Sequence, residues 1–226
     1  MKYEILLLDA DETLLDFKKA EEQAIRATFA QHGLEMNDDV LAMYSSINQQ
    51  CWKEFEQGII DKPTLLAERF RRLFVHLGLD ADPNTVRVTY QDQLGLAAFW
   101  IDGARELCEE LSMSHKIYIV TNGVSATQHS RFAICGLDQL ADGVFVSEDV
   151  GYQKPRREYF AYVFAQIGEF DPEKVLLVGD SLSADIAGGI KAGMDTCWYN
   201  PHHHALPKEL NPTYVIDDIR KLREIV

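Results

Sequence analysis

Two aspartates two positions apart, in Asp9-Ala10-Asp11-Glu12-Thr13, follow directly on the apolar run Ile5-Leu6-Leu7-Leu8. The run reads as a buried strand, so both carboxylates stand at its tip. A strand repeats every two residues, and positions 9 and 11 therefore tend to project to the same side. Like charges held this close resist joint ionisation. A divalent cation is the usual compensation, and it would make the tip a place for chemistry on an oxygen-rich substrate. A plain strand end followed by an acidic helix cap is the alternative, and this stretch alone leaves both open.

Three further strand tips bear comparison. Ile117-Tyr118-Ile119-Val120 runs into Thr121-Asn122-Gly123, where a hydroxyl, an amide and a permissive glycine suit a phosphate oxyanion, although the same triplet makes a good turn. Lys154-Pro155 precedes a helical pattern. It could present a fixed positive charge or simply a solvated one. Val175-Leu176-Leu177-Val178 leads into Gly179-Asp180-Ser181-Leu182-Ser183-Ala184-Asp185. Asp185 falls in a first helical turn, where the helix dipole alone would favour an acid. Asp180 has no such explanation.

The elements that must position these residues alternate in kind. Continuous apolar strands are expected at 3–8, 117–120, 144–146 and 175–178, with weaker ones at 196–199 and 214–216. Such texture marks strands buried on both faces of a parallel sheet. Helical patterns separate them at 103–112, with Asp102 as N-cap, and at 124–134, 157–167 and 184–192, each of these three closed by a glycine. Alternation of this sort predicts an α/β fold with a doubly wound, mostly parallel, Rossmann-like sheet. Residues 16–97 differ, with four amphipathic helices and no strand signal. The expected organisation is an α/β core of 1–15 plus 98–226 with a helical insert at 16–97. An insert leaving the first strand's carboxyl end is placed to act as a lid, since open α/β sheets bind ligands at that edge.

Taken in order, Asp-x-Asp-x-Thr, Thr-Asn-Gly, Lys-Pro and Gly-Asp-x-x-x-x-Asp resemble the four signature motifs of the haloacid dehalogenase superfamily of phosphohydrolases. The resemblance covers essentially the whole chain, with 16–97 similar to that superfamily's C1-type cap. It implies that Asp9 is the nucleophile and Asp11 the general acid and base. It implies that Thr121, Asn122 and Lys154 bind the phosphoryl group. Mg²⁺ would be held by the Asp9 carboxylate, the Asp11 backbone carbonyl and Asp180, with Asp185 in support. Glu12 departs from the commonest superfamily pattern, which has glycine there to let the backbone curl closely, so Glu12 must adopt the turn another way. Asp-Ala-Asp-Glu-Thr-Leu is the form of the bacterial pyrimidine 5′-nucleotidase branch. Tyr152-Gln153-Lys154-Pro155, Gly188-Gly189-Ile190 and Cys197-Trp198-Tyr199-Asn200-Pro201-His202-His203 resemble that branch too. This implies 5′-monophosphates of uridine, deoxyuridine or thymidine as substrates.

A phosphatase of small sugar phosphates or phosphoglycolate is the nearest rival, followed by a phosphomutase. A hydrolytic dehalogenase would need neither Asp11 nor Asp180. A catalytically silent binding module would be expected to lack Asp9 or Asp11. Because the core motifs address phosphate, the insert should choose the leaving group. Asn48 and Trp52, one helical turn apart, could read and stack on a pyrimidine, or could serve the bundle. His202-His203-His204 lacks the usual metal-ligand spacings and reads as a solvated loop.

A formal net charge of −14 disfavours binding to nucleic acid polymers or anionic membranes. It also means that an anionic substrate needs a local positive feature. Cys51, Cys108, Cys135 and Cys197 are far apart and read as buried reduced thiols. With no signal-peptide pattern and no membrane-length apolar run, a cytoplasmic enzyme acting on a small phosphomonoester is expected, as a monomer or homodimer.

Overall fold

The six apolar runs form one parallel sheet: β1 (Ile5–Leu8), β2 (Lys116–Thr121), β3 (Gly143–Val146), β4 (Val175–Gly179), β5 (Asp195–Tyr199) and β6 (Tyr214–Ile216). Their spatial order is β3-β2-β1-β4-β5-β6. Leu8 lies between Ile119 of β2 and Val178 of β4. The chain first builds outward from β1 in one direction and then, from β4, in the other. The topological switch point therefore falls between β1 and β4, and open sheets of this kind bind ligands beyond the strand ends at such a point.

The computed structural model describes residues 2–226. They divide into two units: the described residues up to Phe17 together with Ala98–Val226, and Lys18–Ala97. In the first unit helices cover both faces of the sheet. On one face Leu6, Leu8, Ile117, Ile119, Leu176 and Val178 pack with Leu107 and Leu111 of one helix and Phe132 of another. On the opposite face Ile5, Leu7, Val120, Val175 and Leu177 pack with Tyr159, Phe160 and Val163 of a third. Two-sided burial is why the strands read as unbroken apolar runs rather than as alternating ones.

The second unit is a bundle built from α1 (Phe17–Gln31), α2 (Asp38–Glu56), α3 (Lys62–Leu77) and α4 (Pro83–Gly95). Asn37, Asp61 and Asp82 cap α2, α3 and α4 by accepting backbone N–H bonds, and Gly78 ends α3 in a left-handed conformation. The Tyr44, Phe70 and Tyr90 rings meet at 5.4–5.5 Å in its interior.

The remaining helices are α5 (Ala104–Leu111), α6 (Ser125–Cys135), α7 (Leu137–Leu140), α8 (Ser147–Val150), α9 (Arg157–Ile167) and α10 (Ala187–Ala192). Two local expectations need correction. Gly103, not Asp102, is the N-cap of α5; Asp102 meets Arg220 at 3.3 Å instead. The helix expected from 184 opens with a wide turn over Leu182–Ile186, in which the amides of Asp185 and Ile186 both donate to the Ser181 carbonyl. No disulfide forms; Cys51, Cys108 and Cys197 are buried and Cys135 is half-buried. Among the described residues no helix is long and apolar enough to cross a membrane.

Candidate active site

Asp9 continues β1 by one residue, its N–H donating to the Val178 carbonyl at 2.9 Å. This ties the first strand tip to the fourth. Asp180 follows Gly179, the last residue of β4, and Trp198 Nε1 fixes its carbonyl at 2.8 Å. Asp185 returns toward the same point through the wide turn. Carboxylate oxygens of Asp9, Asp180 and Asp185 lie within 4.8 Å of one another. Gly179 makes the return feasible: a Cβ there would collide with the Asp185 carboxyl group.

Lys154 stands among these acids and is fully buried. Its Nζ donates to Asp9 Oδ1, Asp185 Oδ1 and the Val120 carbonyl, each at 2.7 Å. All three N–H bonds of the ammonium are thus engaged. The loop that carries it is held by Asn122, whose side chain accepts from Lys154 N and donates to Lys154 O, both at 2.9 Å. The Asn122 side chain therefore positions the lysine loop. Thr13 donates to Asp9 Oδ2 at 3.1 Å.

Burial pushes the Asp9 carboxyl up, and Asp185 and Asp11 push it further; Lys154 opposes them, and the balance lies at about 7. Asp180 is pushed well above the ordinary carboxylate range, chiefly by burial and then by Asp9, Asp185 and Glu12. Burial acts to lower the Lys154 pKa, but Asp185 and Asp9 override it and hold the ammonium above its usual range. Three carboxylates and one ammonium leave two uncompensated negative charges when all are ionised. One divalent cation would neutralise them. An all-oxygen carboxylate set suits a hard ion such as Mg²⁺, so the residues present fit that ion.

The Asp11 side chain is turned to other partners. Arg131 Nη1 donates to its Oδ1 at 2.6 Å and Gln128 Nε2 to its Oδ2 at 2.9 Å. The same Gln128 Nε2 reaches Thr121 Oγ1 at 2.9 Å. Sequence reading passed over Gln128 and Arg131; the available signal was two polar residues three apart on the buried face of the helix after Thr-Asn-Gly. Glu12 has φ +59°, the left-handed region that glycine takes readily. Its backbone makes the glycine-like turn despite the side chain.

Asn48 and Trp52 lie on α2 in the helical unit. Asn48 is buried, donating to Glu21 Oε1 at 2.6 Å and accepting from Arg69 Nη1 at 3.1 Å. Trp52 is half-buried and meets the Phe55 ring edge-on at 5.8 Å. In the histidine loop, the Asn200 side chain bonds to both the N–H and the carbonyl of His204. His203 is left-handed at φ +54°. Among the described residues the aspartate cluster is the one group of metal-ligating side chains; no histidine joins such a group.

Residues 3–193 match the family model of haloacid dehalogenase-like hydrolases. The chain is 43% identical over 224 residues to the HAD-hydrolase YfnB of Bacillus subtilis, covering 99% of this chain and 94% of that one. It is 38% identical to the pyrimidine 5′-nucleotidase PynA of Streptococcus pneumoniae, covering 96% and 92%. With the pyrimidine 5′-nucleotidase YjjG of Escherichia coli it shares 30% identity, covering 100% and 99%. A crystal structure of YfnB bound to magnesium superimposes with a TM-score of 0.96 over 100% of this chain and 99% of that one, at 42% identity.

Proposed function

The chain belongs to the haloacid dehalogenase-like hydrolases, and on that premise we propose that it is a Mg²⁺-dependent phosphomonoesterase with Asp9 as nucleophile. The observation that carries this reading is the buried Lys154 ammonium bonded to Asp9 and Asp185 within a cluster of three carboxylates, with Asp11 held apart from it. Phosphate-monoester hydrolysis is among the slowest uncatalysed reactions, needing up to ~10²¹-fold acceleration. A carboxylate nucleophile divides it into two easier displacements.

In the first, an Asp9 oxygen attacks phosphorus, the bond to the ester oxygen breaks, and the departing oxygen takes a proton from Asp11. In the second, Asp11 takes a proton from water as the water oxygen attacks the aspartyl-phosphate; the bond from phosphorus to Asp9 breaks and inorganic phosphate leaves. Asp9, Asp180 and the Asp11 carbonyl would hold Mg²⁺, with Asp185 behind them. The ion supplies the positive charge that lets two anions meet. Thr121 Oγ1 and the Asn122 N–H would bind the phosphoryl oxygens. Lys154 would join them by exchanging one of its three bonds for a phosphoryl oxygen, so that its charge is shared between the carboxylates and the substrate.

Pyrimidine nucleoside 5′-monophosphates are the substrates this reading favours, on the likeness to two proteins named for that activity. Glyceraldehyde 3-phosphate phosphatases at 24–25% identity make a small sugar phosphate the alternative to test beside them. A screen of UMP, dUMP, dTMP and sugar phosphates, with Mg²⁺ and with EDTA, tests both. We expect turnover of the nucleotides, lost in EDTA and in a folded Asp9→Asn variant. Hydrolysis in EDTA, or by Asp9→Asn, would refute the mechanism. Asn48→Ala and Trp52→Ala test base selection: equal losses on dTMP and on an aryl phosphate would remove them from that role.

A further inference from the structure

We infer that Gln128 and Arg131 are positioning residues that fix the Asp11 carboxylate for proton exchange with the leaving group, an inference that rests on the acid–base role given to Asp11 above. Neither belongs to the four strand-tip motifs. Both lie on α6, three positions apart and hence on one face. Both are buried, Gln128 at 1% exposure and Arg131 at 0%. A guanidinium is expensive to bury unless it is paired and hydrogen-bonded. Here the partner is Asp11, at 2.6 Å.

The contacts form a closed set. Arg131 Nη1 serves both Asp11 Oδ1 and, at 2.8 Å, Gln128 Oε1. Gln128 Nε2 serves both Asp11 Oδ2 and Thr121 Oγ1. Each Asp11 oxygen thus has its own donor, the two donors are tied to each other, and one of them is tied to the residue proposed to bind phosphate. The Arg131 guanidinium also lies over the Phe17 ring, 5.8 Å from its centroid. Each carboxylate oxygen has a further lone pair, so being held in place does not prevent Asp11 from carrying a proton to substrate.

Gly123 gives an independent sign that this arrangement is built in. Its φ lies outside the left-handed region, so the backbone does not require glycine there. A Cβ at that position would stand 2.5 Å from Gln128 Cδ and Cγ and 2.6 Å from its Nε2. The glycine of Thr-Asn-Gly is therefore the space in which Gln128 lies. Without the pair, Asp11 would be free to leave the orientation fixed by α6. A misplacement of about 1 Å in a reacting constellation costs on the order of 10²-fold in rate.

The test compares Gln128→Leu and Arg131→Met on two substrates. A nucleoside monophosphate has an alkoxide leaving group that needs a proton; p-nitrophenyl phosphate has a phenolate that leaves without one. The readout is kcat/KM, which covers the steps up to leaving-group departure. We expect a loss of about 10²-fold on the nucleotide and a far smaller one on p-nitrophenyl phosphate. Arg131→Lys should recover part of the nucleotide loss. Asp11→Asn should show the same selectivity, and adding Gln128→Leu to it should cost far less on the nucleotide than it costs the wild type. Should Arg131→Met fail to fold, Gln128→Leu, which removes no charge, carries the test alone. Equal losses on both substrates, or no loss on the nucleotide, would overturn the inference. If Asp11→Asn itself kept full nucleotide activity, the acid–base reading would fall instead. Selective loss in Asp11→Asn but not in the α6 variants would sink only the inference about α6.

Discussion

Replacing Lys154 with Met tests the electrostatic construction of the site most directly. Met keeps a long unbranched side chain and removes only the charge and its donors. Nζ lies 2.7 Å from Asp9 and 2.7 Å from Asp185. At that separation and an effective dielectric of about 20, Coulomb's law gives about 6 kcal/mol for each pair. Desolvation of the buried ammonium cancels much of this, and removing one partner of a buried pair destabilises by about 3–5 kcal/mol. For a chain of 226 residues, about 2–4 °C per kcal/mol gives a loss of roughly 6–20 °C in Tm. The loss should depend on pH in a definite direction. Lys154 holds the Asp9 pKa down, to about 7, so without it the carboxyl moves further up. A folded-state pKa raised above the unfolded value gives stability that is present at low pH and lost as pH rises through the folded value. The variant should therefore lie nearer the wild type at pH 5.5, where its Asp9 carboxyl is protonated, than at pH 8. Thermal melts followed by circular dichroism in EDTA at the two pH values measure this, and added Mg²⁺ should recover part of the loss at pH 8. A Tm within about 2 °C of wild type at pH 8 in EDTA, under 1 kcal/mol by the same conversion, would refute the claim that this ammonium neutralises the cluster.

Mg²⁺ must displace the proton that Asp9 holds, so its affinity should weaken by about tenfold per pH unit as pH falls below about 7, as read by calorimetry. Without metal, the raised Asp9 pKa means that stability falls as pH rises from about 4 to about 7, so the rise in Tm on adding Mg²⁺ should be larger at pH 8 than at pH 5.5. Gly179→Ala should push the Asp185 carboxyl off its place; by the cost of overpacking, about 1–3 kcal/mol, the Tm should drop with Mg²⁺ affinity, and unchanged affinity would show that Asp185 does not support the ion. Glu12→Gly removes a left-handed strain of about 1–2 kcal/mol and adds an unfolded-state entropy cost of about 0.5–1 kcal/mol. Its Tm should therefore change by no more than a few degrees, and a larger fall would show that the Glu12 side chain itself stabilises the loop.

The strands were legible because both faces of the sheet are covered, which writes each strand as an uninterrupted apolar run. The four helices of the insert were legible from their apolar periodicity, with Gly78 and Asp82 as local signals for an end and a start; the caps of α2 and α3 at Asn37 and Asp61 emerge from the structure. The sequence marked Glu12 as a turn position, but the expectation of a turn made another way does not hold, because Glu12 takes the left-handed conformation itself. Features set by long-range contacts were not legible. The wide turn at Leu182–Ile186 brings Asp185 to Lys154, 31 positions away, and no local propensity encodes that pull. Asp102 had the chemistry of an N-cap, but Gly103 reaches a conformation at φ +76° that takes the cap position from it. Gln128 and Arg131 were hidden for a different reason. Their partner Asp11 lies 117 and 120 positions away, and polar residues inside a helical pattern read as surface until the partner is known.

The two carboxylates at the first strand tip are kept apart by different partners. Asp9 shares the buried cluster with Asp180, Asp185 and Lys154, whose charge is incomplete by two positive units. Asp11 pairs with Arg131, and that neighbourhood carries no net negative charge whether or not Asp11 holds its proton. The separation resolves the difficulty posed by two like charges two residues apart. A cation that completes the first neighbourhood need not involve the Asp11 carboxylate, so the ion can draw on the nucleophile without immobilising the proton carrier. The same division explains how a chain of net charge −14 can admit an anion. With a divalent ion bound, the cluster around Asp9 is neutral, and the Asp11–Arg131 pair adds no negative charge. The approaching phosphate then meets no local excess of negative charge, and the remaining surface acids are screened beyond about 10 Å at 0.1 M salt.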